Sequence, residues 1–294
     1  MREKTIYALG FFDGVHVGHQ ALLRVCRELA DSVGARAGAV TFTTHPDTLV
    51  QGRTPALINM PRDRKMLLQH HMDTVLELPF DRAMMAMPWQ DFFRMLRETY
   101  GAAGLVCGAD FRFGYRGEGD SRKLQTACAE AGMPCAVVPQ QRIDGTVVSS
   151  THIRGLLEQG QMAEAVRFLG HPHILTGEVT VGRQLGRTIG VPTANLALPD
   201  GVICPKHGVY ACKAMVDGTE FLAVTNIGTR PTVAGSDVTA EAHLLDFSGD
   251  LYGKRLQLRF YEFLRPEEKF DSLEALRTEI QKNMAQTRKI FRKS

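Results

Sequence analysis

The chain has little of what would mark a secreted, membrane-bound or nucleic-acid-binding protein. Its six cysteines, Cys26, Cys107, Cys128, Cys135, Cys204 and Cys212, include no C-x-x-C pair. Several fall in apolar strand or helix patterns, so they read as reduced core residues, not as disulfides or zinc ligands. No apolar run is long enough to cross a bilayer, and Met1-Arg2-Glu3-Lys4 enters the first strand with no apolar signal region. The expectation is a cytoplasmic protein with no membrane partner. Net charge is only +3, from 35 Lys plus Arg against 32 Asp plus Glu. A field that weak gives no case for a nucleic-acid partner. The cluster Arg288, Lys289, Arg292 and Lys293 reads as a solvated helix end. What remains, 44% hydrophobic and 23% charged, is an ordinary globular composition, and 294 residues suit two domains. A monomer or weak homo-oligomer is expected.

The chain is organised around Ala8-Leu9-Gly10-Phe11-Phe12-Asp13-Gly14-Val15-His16-Val17-Gly18-His19. An apolar run, Ile6 to Leu9, precedes it as a first strand. Gln20 to Ala30 follows, with Leu22, Val25, Cys26 and Leu29 at helical spacing. His16 and His19 therefore stand three apart at a helix start, on one side of its first turn. Free backbone N–H groups and the helix dipole favour an anion there, and Gly18 leaves room for a phosphate. The spacing His-x-Gly-His resembles the ATP site of the nucleotidyltransferase superfamily.

To about residue 170, strands alternate with amphipathic helices. Strands are expected near Ala37–Phe42, Thr74–Leu78, Leu105–Cys107 and Ala136–Val138. Helices are expected over Arg62–His71, from Pro88 to Arg97, between Asp120 and Gly132, and from Ser149 to Gly160. Gln161 to Leu169 makes a last short helix closed by Gly170, and His171-Pro172-His173 reads as a linker. Alternation of this kind implies a Rossmann-like, mostly parallel sheet whose ligands bind beyond the strands' carboxyl ends. Gly108-Ala109-Asp110-Phe111-Arg112-Phe113-Gly114 follows the fourth strand with a mixture suited to a flat ring and a nucleotide. Ser150, Thr151 and Arg154 open a helix and suit a second grip on a triphosphate.

Beyond residue 173 the pattern becomes strands separated by turns. Asp217-Gly218 is a hairpin signal between Gly208–Val216 and Thr219–Asn226. Thr239–Asp246 and Arg255–Leu264 alternate similarly. Ser272–Arg288 is helical, with Leu273, Leu276, Ile280 and Met284 on one face. This predicts a small antiparallel barrel with a C-terminal helix, so the domains are expected at 1–172 and 173–294. Gly182, Gly186, Arg187 and Gly190 lie in a glycine-rich basic run suited to phosphates. It leads into Pro192-Thr193-Ala194-Asn195, where the oxygens of Thr193 and Asn195 point one way and suit Mg²⁺.

In order along the chain these motifs resemble the bacterial bifunctional riboflavin kinase/FAD synthetases. The run comprises Gly10–His19, Thr41-Phe42 with His45-Pro46, Asp110–Gly114, Ser149-Ser150-Thr151 with Ile153-Arg154, and Gly190–Asn195. Asn226-Ile227-Gly228-Thr229-Arg230-Pro231-Thr232, Glu241–Phe247, Asp250–Gly253 and Arg265-Pro266-Glu267 complete it. The resemblance implies an FMN adenylyltransferase domain followed by a riboflavin kinase barrel. ATP, riboflavin and FMN would be the substrates, FAD the product, and Mg²⁺ the cofactor. His16, His19 and Glu241 would be catalytic, Glu241 as the proposed base of the kinase step. Gly10, Phe11, Asp13, Gly14, Gly18, Ser150, Thr151 and Arg154 would bind ATP, and His45, Pro46, Asp110 and Phe111 the flavin. Gly182, Gly186, Arg187, Gly190, Pro192, Thr193 and Asn195 would hold the kinase's ATP. Where the family writes Asp-Pro-His-Pro, this chain has Thr43-Thr44-His45-Pro46. A single-activity kinase, or a nucleotidyltransferase for another small phosphate, stays open at this stage. Without the resemblance, Glu241 would read as an outward strand carboxylate in a salt bridge.

Overall fold

The computed structural model describes residues 4–181, 190–232 and 235–292, with the backbone alone at 230–232 and 235–237. Its contacts divide the chain into two compact units, Met1–Leu57 with Arg64–Ser150, and Ile58–Asp63 with Thr151–Ser294.

The first unit is built on a parallel sheet of β1 (Thr5–Leu9), β2 (Arg36–Phe42), β3 (Thr74–Leu78), β4 (Ala102–Gly108) and β7 (Cys135–Val138), in the order β3-β2-β1-β4-β7. Two short hairpins, β5 (Arg112–Phe113) with β6 (Gly119–Asp120) and β8 (Arg142–Ile143) with β9 (Thr146–Val147), lie outside it. The order reverses on either side of β1, so the loops after β1 and β4 leave a crevice at the sheet's carboxyl edge. The buried run of β1 fits a central strand covered on both faces. Helix α1 (Val17–Ser32) buries Ala21, Leu22, Leu23, Cys26 and Ala30. Helices α2 (Asp47–Val50), α3 (Pro61–Gln69), α4 (Arg82–Ala86), α5 (Trp89–Glu98) and α6 (Ser121–Glu130) complete the alternation.

Capping chemistry fixes the helix starts. The Asp120 carboxylate accepts from the Lys123 N–H at 2.8 Å, as the sequence predicts for α6. Pro88 is the N-cap of α5, with ψ 146°, and not its first helical residue; the helix runs one residue past Arg97.

The second unit opens with helices α7 (Ser150–Gln159) and α8 (Met162–Leu169), the latter closed by Gly170 at φ 74°. The six strands that follow are β10 (His173–Glu178), β11 (Ala194–Ala197), β12 (Gly208–Val216), β13 (Thr219–Thr232), β14 (Gly235–Leu244) and β15 (Arg255–Arg265). They form one antiparallel sheet in the order β10-β15-β12-β13-β14-β11. Just past β10, the Thr180 N–H donates to the Asn195 carbonyl of β11 at 2.8 Å. That bond joins the sheet's two edges into a near-closed barrel, which removes the exposed edge an open sheet would leave. Asp217 and Gly218, at φ 46° and 83°, make the expected β12–β13 turn.

Two expectations are corrected here. His173 is 1% exposed and starts β10, so the linker stops short of it. The apolar face expected on the C-terminal helix, Leu273–Phe291, is half-buried at Leu276, Ile280 and Met284, the last packed against Val209, Val224 and Leu245, but it does not extend to Leu273. Leu273 is exposed, whereas Asn283 and Thr287 are its buried residues. The physical reason is that this helix flanks a cavity, where Leu276 and Ile280 form wall and not core. No helix of the described residues is long and apolar enough to cross a membrane.

Candidate active sites

The turn between β1 and α1 is tight and strained. Phe12 and Val15 have φ of 60° and 40°, beside Gly14 at 80°. Positive φ in a β-branched residue is costly and persists only where surrounding contacts hold it. Those contacts come from four directions. The Thr41 hydroxyl donates to the Phe11 carbonyl at 2.8 Å, and the Ser150 hydroxyl to the Asp13 carbonyl at 2.9 Å. The Gln20 side chain donates to the Val15 carbonyl at 2.9 Å. Arg64 lays its guanidinium over the Phe11 ring, 4.1 Å from the centroid.

The turn delivers His16 as the N-cap of α1, its Nδ1 accepting from the His19 N–H at 3.3 Å. The two imidazoles stack, with centroids 3.6 Å apart and 14° between planes. An accepting Nδ1 leaves the proton of a neutral His16 on Nε2. Burial pushes the His19 pKa well below its usual value, and His16 pushes it the same way, so His19 is neutral at pH 7. A Cβ on Gly18 would stand 3.2 Å from His16 Nδ1, so glycine there lets the ring lie against the backbone. Gly10 packs against the Phe12 ring in the same way. Ser150 closes the first unit, and Thr151 and Arg154 follow on α7 as members of the second.

Near the same sheet edge lies a cavity of about 680 Å³ lined by Phe42, Phe80, Phe92, Phe111 and Phe113, with Pro46, Met84 and Met85. Of the residues expected at the flavin, Pro46 and Phe111 line it, and Phe111 stacks on Phe113. His45 instead lies edge-on to Phe11, with centroids 4.4 Å apart. Asp110 is exposed and accepts from Gln140 at 3.1 Å.

In the barrel, strand register assembles the second site. Asn195 of β11 and Asn226 of β13 both pair with Glu241 of β14. Glu241 has no ion pair among the described residues, and it lines a cavity of about 330 Å³ with Thr193, Asn226, His243 and Arg265. The strand salt bridge that Glu241 would suggest without the resemblance is thus absent among them. A second cavity, about 290 Å³, is lined by Pro192, Thr193, Asp250 and Tyr252. Thr193 lines both. Asn195 is 4% exposed, and its Oδ1 is a buried acceptor with no hydrogen-bond donor among the described residues. A hard cation suits such an oxygen. Gly190 and Pro192 precede β11, whereas Gly182, Gly186 and Arg187 lie outside the described residues.

Asn226, His243 and Glu267 were not foreseen as site residues. The Asn226 amide donates to Glu267 at 3.1 Å, and His243 donates from Nδ1 to the Pro192 carbonyl at 2.8 Å. All three sit inside motifs visible in the sequence, so the signal was present. Arg64 had none, because a charged helix residue ordinarily reads as solvated.

The FAD synthetase family model matches residues 1–152, and the riboflavin kinase model matches residues 169–291. A bifunctional riboflavin kinase/FMN adenylyltransferase of Pseudomonas fluorescens is 38% identical over 286 residues, covering 96% of this chain and 92% of the relative. Proteins of the same name from Escherichia coli K12 and Bacillus subtilis are 37% and 30% identical. Each alignment covers 99% of this chain, with 94% and 93% of the respective relative. A crystal structure from Streptococcus pneumoniae, named a macrolide-efflux protein, superposes with a TM-score of 0.89 at 28% identity. It covers 98% of this chain, and this chain covers 95% of it.

Proposed function

The chain belongs to the bifunctional riboflavin kinase/FMN adenylyltransferase family, and on that premise we infer how its residues divide the work. It phosphorylates riboflavin to FMN with ATP, then joins FMN to the AMP moiety of a second ATP, giving FAD and pyrophosphate. We assign the adenylyl transfer to residues 1–172 and the kinase step to residues 173–294.

In adenylyl transfer the nucleophile is the FMN phosphate, already anionic at neutral pH. Its oxygen bonds to the α-phosphorus as the bond to the pyrophosphate oxygen breaks, so no strong base is needed. Donors on the phosphates are needed, and such preorganised electrostatics is often the largest catalytic contribution. His16 presents Nε2–H from a ring whose other nitrogen is engaged, and His19 stacks on it as a neutral partner. Ser150, Thr151 and Arg154 add donors to the triphosphate. Gly10, Phe11, Asp13, Gly14 and Gly18 shape its backbone cradle. The cavity of five phenylalanines takes the isoalloxazine ring, with Pro46 and Phe111 in its wall.

In the kinase step the nucleophile is an alcohol whose proton must leave. Glu241 takes the proton of the riboflavin 5′-hydroxyl while the γ-phosphate moves to that oxygen and ADP departs. The observation that carries this reading is Thr193, shared by both barrel cavities, with Glu241 in one and Asn195 opposite it in register. One cavity then holds flavin, the other nucleotide, and the phosphate passes beside Thr193. Thr193 and Asn195 would hold Mg²⁺, the orphaned Asn195 oxygen being of the right chemistry. When bound, Mg²⁺ supplies charge neutralisation on the transferred phosphate.

Purified protein with riboflavin, ATP and Mg²⁺, its flavins then separated, tests the whole. FMN followed by FAD is expected; FMN alone would remove the adenylyl assignment, and no FMN the kinase one.

A further inference from the structure

We infer that Arg64 is a positioning residue of the adenylyl site, holding the loop after β1 in the shape that presents His16 and His19. This rests on the assignment of those histidines to adenylyl transfer.

Arg64 stands in the first turn of α3, in the run Pro61-Arg62-Asp63-Arg64-Lys65. Sequence alone would leave it in solvent, yet it is 1% exposed and among the largest fully buried side chains. A guanidinium taken from water needs partners in return. Among the described residues Arg64 has one hydrogen bond, from Nη2 to the Phe42 carbonyl at 2.7 Å, while Nε and Nη1 have none. It makes no ion pair among the described residues; Glu77 is bonded to Lys65 at 2.5 Å. An arginine held this way is poorly repaid by local stability.

What its position does serve is the loop. The guanidinium lies over the Phe11 ring, and the His45 ring meets Phe11 edge-on at 4.4 Å. Phe11 is thus held between Arg64 and His45. The next residue, Phe12, is in the left-handed region, and so are Gly14 and Val15 before His16. Asp13, within this run, is 2% exposed, and the Arg64 charge acts on it. Removing the guanidinium would leave Asp13 without that cation and Phe11 without one face of its clamp. The strained run would then relax, and the two imidazoles would leave their stacked arrangement. Misplacement by about 1 Å is enough to cost on the order of 100-fold in rate.

The test uses full-length protein with Arg64→Met, which keeps length and removes charge, and Arg64→Lys, which keeps charge without the planar face. FAD formation from supplied FMN and ATP is measured beside riboflavin phosphorylation and thermal melting. For Arg64→Met the expected result is a kcat about tenfold lower or worse with a raised KM for ATP, and a kinase rate within about twofold of the parent. Arg64→Lys should fall between, with KM for ATP raised at least about threefold. A lowered melting temperature, with kcat and KM for ATP within about twofold of the parent in the cold, is what a merely structural arginine gives, and it overturns the inference. If Arg64→Met does not fold, Arg64→Lys decides by its KM for ATP. His16→Ala/His19→Ala, run in parallel, separates the two levels. Its FAD synthesis surviving refutes the underlying site, whereas its loss beside an unaffected Arg64→Met refutes only the role of Arg64.

Discussion

Replacing Glu241 by Gln removes one charge and almost nothing else. The side chain is half-buried in β14, opposite Asn195 and Asn226, and has no ion pair among the described residues. No described cation is orphaned by its loss, and Gln fills the same space, so stability should change by no more than about 0.5 kcal/mol. As general base, the carboxylate is worth about 10² to 10⁴ in rate. At about 1.36 kcal/mol per decade this is roughly 2.7 to 5.4 kcal/mol of transition-state stabilisation. A strand salt bridge would contribute about 1 kcal/mol at most, to stability and not to rate. The two roles therefore differ by more than tenfold in what an assay reads. FMN formation from riboflavin and FAD formation from supplied FMN are measured separately on the one variant. The first should fall about 10²-fold or more, and the second should hold, because His16 and His19 stand in the other unit. A kinase rate within a few-fold of the parent would take Glu241 out of the chemistry.

Three further outcomes are expected. Asn195→Ala removes the orphaned buried oxygen, so the Mg²⁺ concentration for half-maximal FMN formation should rise while that for FAD formation does not; equal shifts in both would detach Asn195 from the metal. Thr43→Asp/Thr44→Pro restores the family's carboxylate and proline at two exposed positions, and should lower the FMN concentration that half-saturates FAD synthesis. The Thr43 N–H that donates to Leu78 at 2.9 Å is kept in that variant, so an unchanged value would mark the departure as neutral. His173 is buried, and that burial, with His171 adding to it, lowers its pKa from 6.5 to about 3. The unfolded chain then binds the extra proton first, so stability present at pH 7 is lost as pH falls from about 6.5 toward 3. His173→Leu, which also removes an unpartnered Nδ1, should flatten the acid side of the thermal-stability profile; an unchanged slope would place the acid sensitivity elsewhere.

The sequence by itself determined the local elements. Period and punctuation are local properties. Alternating strands and helices to residue 170, the Asp120 cap, the Gly170 stop and the Asp217-Gly218 turn each depend on a few neighbouring residues. His16 and His19 were legible for the same reason, three apart at a helix start. Only the tertiary structure decided what depends on partners distant in the chain. It brought Asn195 and Asn226 to Glu241 through strand register, which no local spacing encodes. It set Asn283 and Thr287, not Leu273, on the buried side of the last helix, because that helix flanks a cavity. It also buried Arg64 against Phe11, where the residue type pointed to solvent. Hydropathy records what a side chain prefers on average. The place it takes is set by whichever surface folds against it, which for Arg64 is the loop after β1 and the end of β2.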